Sequence, residues 1–598
     1  MFPFHDRTEQ SNRQDLRCQS SDSFQEPLNN KTMKESRPRF TNIASCITTL
    51  LLWLCVIVLA DDNNVQELYI SQTLDHFDAT NEATFAQRYF VSYRHSSNSG
   101  LPILSLLCVG GEGPGFDKSV LIDSVHCTGD MLELAQKIAQ AKTHDVILYA
   151  LEHRYYGKSY PKFIGPDGNQ TSPLTTENLR FLSSRQALED LAHFVHSKNQ
   201  ELGESTWVTF GGSYPGLMSM YARYKYPHLV FASVSSSAPL QLTVDFPGYK
   251  DRQGWDLKYD KIGGSNECHR IVKVGHEQAV GLLQQEHKNG TEDGSVTLAK
   301  SFHLCNPEKI LEKRRNQELL LGDGLINIMS QGNDPSCSGD DLCNIAGLCR
   351  FMTTQMEQLT VEYWNGGDDD DDKNLELQVL AKVAQKQYAQ MRHVDSTNHR
   401  QQLKLNRPKL LDSPQLYDDD NCLNIEYNDM IQEMSSEVVE PFGMRSWIWQ
   451  TCTEFGFYQT CGDNCPFASH FHSIDMDLEI CSLLFNISST DVYDNVQSSL
   501  DQYGGKDFLT SGASNILTVN GNVDPWSVLG LEESDSTSYK LPVKMVPGAS
   551  HHFWTHPVKD TDAVEIVQIR EYIHSTVMTW LGMEAIDVEL SSVRHLRG

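Results

Sequence analysis

Short apolar runs alternating with amphipathic ones constrain this chain more than any other feature. "LPILSLLCVGG" (101–111), "DVILYALEHR" (145–154), "TWVTF" (206–210) and "FASVSSSAP" (231–239) read as buried strands. Between them, "GDMLELAQKIAQ" (129–140), "SSRQALEDLAHFVHSKNQ" (183–200, with a serine placed to cap it) and "GLMSMYARYKY" (216–226, stopped before Pro227) carry helical periodicity. Strands that are apolar throughout and alternate with helices imply a parallel sheet covered on both faces. From about 241 to 505 the periodicity becomes helical, with the acidic interruptions "NGGDDDDDK" (365–373) and "YDDD" (417–420). The strand–helix rhythm then returns in "SNILTVNG" (514–521), "YKLPVKMVPG" (539–548) and a closing helix over 562–582. The expected organisation is one α/β domain, 61–240 and 506–598, split by a helical, cysteine-containing insertion over 241–505.

The first 60 residues differ. Residues 1–42 are polar and without period, the composition of a disordered leader. An 18-residue apolar run, Ile43–Ala60, follows Lys34, Arg37 and Arg39, and "VLA" before Asp61 resembles a signal-peptidase site. A cleaved signal peptide is the expected reading, with a type II signal-anchor as the alternative. Both put the body on the lumenal or extracellular side, secreted or in a lysosomal or endosomal lumen. Of the 15 cysteines, Cys18, Cys46 and Cys55 lie in this leader, which leaves an even 12 in the body, as disulfides require. Sequons at Asn169, Asn289 and Asn486 fit the same compartment. "CGDNC" (461–465) and "CNIAGLC" (343–349) lack the second half of a zinc site, and the aspartate run lacks the glycine and glutamate of a calcium loop, so no metal and no cofactor is expected. A net charge of −30 disfavours nucleic acid and anionic membrane surfaces as partners. Membrane attachment is expected only if 43–60 is an uncleaved anchor. Monomer and homodimer both stay open.

The chemistry centres on "GGSYPG", Gly211–Gly216, where strand 206–210 meets helix 216–226. A sharp turn there lifts the Ser213 hydroxyl out of the sheet, while the helix start offers N–H groups to an oxyanion. The usual elbow is G-x-S-x-G, and here Pro215 stands where the last glycine belongs. Such a turn is by itself also an ordinary serine cap. Its context supplies more: Asp524 follows one late strand in "TVNGNVDPWSVLG" and His551 follows the next in "KMVPGASHHFW". Nucleophile, acid and base thus come in the order of an α/β-hydrolase. "VGGEGPG" (109–115) offers bare backbone N–H groups, with Gly111 and Tyr214 as the oxyanion-hole candidates. That loop has neither the Lys-Ser/Thr pair nor the spacing of a nucleotide-binding loop. The fold class is therefore an α/β-hydrolase sheet with a large helical cap domain inserted between nucleophile and acid.

Several longer stretches resemble one family. "LDHF" (74–77), "FAQRYF" (85–90), "GGEGPG" (110–115), "EHRYYGKSYP" (152–161), "GGSYPG" (211–216), "SSAPL" (236–240), "QTCTEFGFYQTC" (450–461), "NGNVDPW" (520–526) and "GASHH" (548–552) are similar to the serine peptidases typified by lysosomal Pro-X carboxypeptidase, dipeptidyl peptidase II and thymus-specific serine protease. The likeness spans about 68–582, and "QTCTEFGFYQTC" and "NGNVDPW" look nearer to the thymus-specific branch. The resemblance implies Ser213 as nucleophile, Asp524 as acid and His551 as base in preference to His552. It also implies an exopeptidase acting on short peptides with a preference for bonds after proline. Tyr214 and Trp526 are candidate walls of a proline pocket. Glu112 and Glu152 are candidates for binding a substrate amine, each with a structural ion pair or backbone contact as its alternative role. A secreted esterase or lipase, or a catalytically silent hydrolase fold used for binding, is the rival expectation; the complete triad and the charged cap favour a peptidase.

Overall fold

The computed structural model describes residues 65–583, apart from 98, 286–292, 323, 338–341, 367–373, 396–421, 463–464 and 469–470. The leader with its apolar run, the aspartate run, "YDDD" and Asn289 therefore lie outside the described residues. Eight strands form one sheet: β1 (Val65–Thr73), β2 (Thr84–His95), β3 (Ile103–Val109), β4 (Asp145–Leu151), β5 (Thr206–Gly212), β6 (Ala232–Ser236), β7 (Ile516–Gly521) and β8 (Val543–Val546), in the order β1-β2-β4-β3-β5-β6-β7-β8. β2 runs antiparallel to both β1 and β4, and all pairs from β4 to β8 are parallel. This is the α/β-hydrolase architecture.

The strands alternate their side chains between two cores, as period-2 geometry requires. Leu104, Leu106 and Cys108 of β3 join Val208 and Phe210 of β5 on one face, against Met131, Leu134, Ile569 and Ile573. Leu107 and Val109 face the other way with Trp207, Phe194, Leu217 and Met218. The covering helices are α1 (Glu133–Ala141), α2 (Ser184–Leu202), α3 (Tyr214–Lys225) and, at the carboxyl end, Val564–Trp580. Ser183 caps α2 by accepting the Gln186 N–H.

Between β6 and β7 the chain is mainly helical. Helices Gly248–Asp256, Asn266–Gln284, Ile345–Gly366 and Leu375–Asp395 build a further core from Ile271, Val272, Ile345, Leu348, Leu380 and Val383. Six disulfides use all 12 body cysteines: 108–127, 268–349, 305–422, 337–343, 452–481 and 461–465. Cys461 and Cys465 thus bond to each other, and Cys343 and Cys349 bond to different partners. Among the described residues no helix is long and apolar enough to cross a membrane.

The sheet order reverses at β3: the chain goes to β4 on one side and returns to β5 on the other. A crevice opens at the carboxyl ends of the strands at such a point. The loops after β3 and β5 border it.

Candidate active site

β5 ends at Gly212, and Ser213 turns the chain with φ 64° and ψ −131°. A non-glycine residue in the left-handed region costs on the order of 1–3 kcal/mol and persists only where its surroundings hold it. Here the Ser213 N–H donates to Ser236 O at 2.8 Å, and Ser213 O accepts the Leu217 N–H at 3.1 Å to start α3. A Cβ on Gly216 would stand 2.8 Å from Ser236 O, so the close approach of α3 to β6 requires that glycine. Pro215 lies in the first turn of α3, where a missing N–H costs nothing. The Tyr214 N–H belongs to the same turn, whose amides have no acceptor within the helix.

The loop after β3 lies against this turn. A Cβ on Gly111 would come within 2.4 Å of Pro215 Cγ, so the Gly111 backbone is in contact with the elbow. Glu112 follows. Burial pushes its carboxyl up to about 7, and its buried Oε2 has no hydrogen-bond partner among the described residues.

Asp524 and His551 meet directly. β7 ends at Gly521, and Asp524 accepts the Trp526 N–H at 3.0 Å on Oδ1, capping the short turn Pro525–Leu529. Its Oδ2 lies 2.7 Å from His551 Nδ1, and both side chains are fully buried. His552 is placed otherwise. Its Nδ1 pairs with Thr555 Oγ1 at 3.1 Å and its N–H donates to Ser237 Oγ at 2.9 Å. Burial first, then the neighbouring His551, His556 and His126, hold its ring well below the usual histidine range, hence neutral. The His552 ring also links the two loops: a Cβ on Gly212, next to Ser213, would meet it at 2.8 Å.

Trp526 is buried beside His551, with ring centres 6.4 Å apart, among Phe246, Tyr249 and Phe457. Tyr214 is also buried, its ring against Trp447 and Phe455. Glu152 takes the structural role that the sequence reading kept as its alternative. It is buried in an ion pair with Arg88 (2.6 Å), and it also accepts from the Lys158 N–H and the Ser159 hydroxyl. Arg154 pairs instead with Asp190. Asn169 and Asn486 are exposed.

Sequence reasoning missed the polar residues that the insertion contributes. Gln450 donates to the Tyr214 hydroxyl (3.1 Å) and accepts from that of Tyr156 (2.7 Å). Glu454 accepts from both the N–H and the hydroxyl of Ser184, and burial pushes its carboxyl up to about 7. Gln331 reaches both the acid and the histidine loops. The one local signal was the "QTCTEF" run, which forms a widened helical turn of the kind found at functional sites.

Residues 72–573 match the family described as serine carboxypeptidase S28. The thymus-specific serine protease of Mus musculus is 29% identical over 525 residues, which cover 86% of this chain and 87% of that protein. The lysosomal Pro-X carboxypeptidase of Mus musculus is 24% identical over 526 residues, covering 85% and 88%. Among solved structures, the peroxisomal α/β-hydrolase Lpx1 of Saccharomyces cerevisiae aligns over 86% of this chain and 89% of its own, at 9% identity and a TM-score of 0.31.

Proposed function

Because the chain belongs to the serine carboxypeptidase S28 family, and so is a serine peptidase acting on peptides, we propose that Ser213, Asp524 and His551 form its catalytic triad. The observation that carries this is the buried 2.7 Å contact of Asp524 Oδ2 with His551 Nδ1, one residue from the His552 ring that packs on the Ser213 elbow. In this reading Asp524 fixes the tautomer with the proton on Nδ1, which leaves Nε2 to take the hydroxyl proton as Ser213 attacks the scissile carbonyl. The Gly111 and Tyr214 N–H groups receive the oxyanion. His551 then protonates the leaving amine, and water, activated by the same imidazole, hydrolyses the acyl-enzyme.

The finer reading is an exopeptidase with a preference for bonds after proline. The buried aromatic group of Trp526, Phe246, Tyr249 and Phe457 beside His551 supports it, since a rigid proline ring loses little entropy on such a surface. Glu112 is the substrate-binding carboxyl in this reading: a substrate ammonium supplies the partner that its Oε2 lacks among the described residues. The six disulfides and the exposed sequons Asn169 and Asn486 support an oxidising, lumenal or secreted setting.

A fluorophosphonate probe should label the wild type and spare Ser213→Ala; equal labelling of both would overturn the triad. Matched peptides with Pro or Ala second from either end test specificity. Cleavage at internal bonds would remove the exopeptidase reading, and equal rates would remove the proline preference.

A further inference from the structure

We propose that Gln331, supplied by the helical insertion, is a positioning residue that locks the acid loop and the histidine loop to each other; this rests on the triad reading. Its main-chain oxygen accepts the His551 N–H at 3.2 Å. Its side-chain Oε1 accepts the Trp526 indole N–H at 3.1 Å and the Tyr249 hydroxyl at 2.8 Å. Trp526 in turn gives its backbone N–H to Asp524 Oδ1, and Asp524 Oδ2 meets His551 Nδ1. The four residues close a ring: Asp524 to Trp526, Trp526 to Gln331, Gln331 to His551, His551 back to Asp524. Two positions on, Asn333 O accepts the Ser550 hydroxyl at 3.0 Å, so the histidine loop is held at two successive residues.

The strap that carries Gln331 is itself fixed from both sides. On the side of the insertion, Asn333 Oδ1 accepts the Ile345 N–H (2.9 Å), Asn344 donates to Asp334 O (2.9 Å), and Cys337 is bonded to Cys343. On the side of the sheet domain, Lys559 donates to Ser336 Oγ (3.1 Å) and lies 3.6 Å from Asp334. Gln331 is 8% exposed, so its hydrogen bonds are made out of water, where an unmet donor is costly. A neutral amide also suits the place: it supplies an acceptor oxygen without setting a second full charge near Asp524. The insertion thus completes the frame that aims the imidazole.

The rate of fluorophosphonate labelling tests this, because a small probe reports the triad without needing the peptide pocket. Gln331→Met keeps the length and removes the acceptor. Its labelling rate and its kcat should both fall roughly 10- to 100-fold, with KM little changed, as small misplacements of catalytic groups do. Gln331→Glu keeps an acceptor oxygen and, with each rate taken relative to the wild type at the same pH, should recover most of the loss at the acidic end, where the buried carboxyl is neutral. Wild-type labelling by Gln331→Met, even with a lowered Tm, would overturn the inference and leave a packing role. Should Gln331→Met not be secreted, Gln331→Asn carries the same expectation and the same overturning result, since its amide is too short to reach Trp526. Failure of the wild type itself to label removes the triad reading instead, and this inference with it.

Discussion

The Tyr214 hydroxyl lies 2.9 Å from His153 Nε2. The residue whose backbone N–H is proposed to receive the oxyanion is therefore held by its own side chain, through a histidine just past β4. Gln450 of the insertion grips the same hydroxyl from the other side. Burial lowers the His153 ring to about 4, so it stays neutral: its one proton, on Nδ1, goes to Arg154 O, and its bare Nε2 accepts the Tyr214 O–H. Tyr214→Phe should cost about 1–3 kcal/mol, because it strands buried polar groups on two partners. Denaturant unfolding measures the loss, and kcat should fall with it.

Asp524→Asn should leave the fold intact and lower kcat by about 10⁴, since an amide permits the wrong histidine tautomer. Steady-state kinetics with a matched Tm checks both halves. A loss below tenfold would argue that Asp524 is only a turn cap for Trp526.

Gly111→Ala places a methyl 2.4 Å from Pro215 Cγ, and loop or elbow must move. Loss of one oxyanion donor costs on the order of 10² to 10³ in kcat. Fluorophosphonate labelling should drop in parallel, while far-UV circular dichroism stays that of the wild type.

Glu454 gives a pH signature. Burial raises its carboxyl from 4.5 to about 7 in the folded chain, so the folded state holds a proton that the unfolded state releases across that window. Its contribution to stability is full below 4.5 and is lost as pH rises to 7. Glu454→Gln has no such loss. Its Tm relative to wild type should climb from pH 4.5 to 7 and then level; a difference independent of pH would refute the assignment.

The sheet was legible because its strands are buried on both faces and so are apolar without interruption: Leu104–Val109 and Val146–Leu151 could hardly be anything else. The β1–β2 hairpin was less visible. Its alternation is broken by Gln72, Gln87 and Arg88, buried polar residues satisfied by contacts far along the chain, Gln72 with Asp190 O, Gln87 with Glu152 O and Arg88 with the Glu152 carboxylate. Asp524 and His551, which the fold brings together, could be picked out as candidates because each follows a strand end, a position fixed by local pattern. Gln331 could not. It lies in a loop without period, and its role arises only when the insertion folds back onto residues about 200 positions later. Glu152 stayed ambiguous for the converse reason: a carboxylate at a strand end can bind a ligand or an ion-pair partner, and its arginine, Arg88, is 64 positions away.

β6 and β7 are hydrogen-bonded neighbours, yet Ser236 and its partner Val519 are about 280 positions apart, so their pairing is among the costliest loop closures in the fold. Ribosomal synthesis therefore delivers Ser213 long before Asp524 and His551 exist. During that interval the serine lacks its proposed acid and base, and the sheet lacks two strands. On the proposed triad, a chain cut short between residues 213 and 551 carries the nucleophile without its base. On that reading the order of the sequence acts as a safety interlock: hydrolytic capacity is withheld from unfinished chains until the whole insertion has been made.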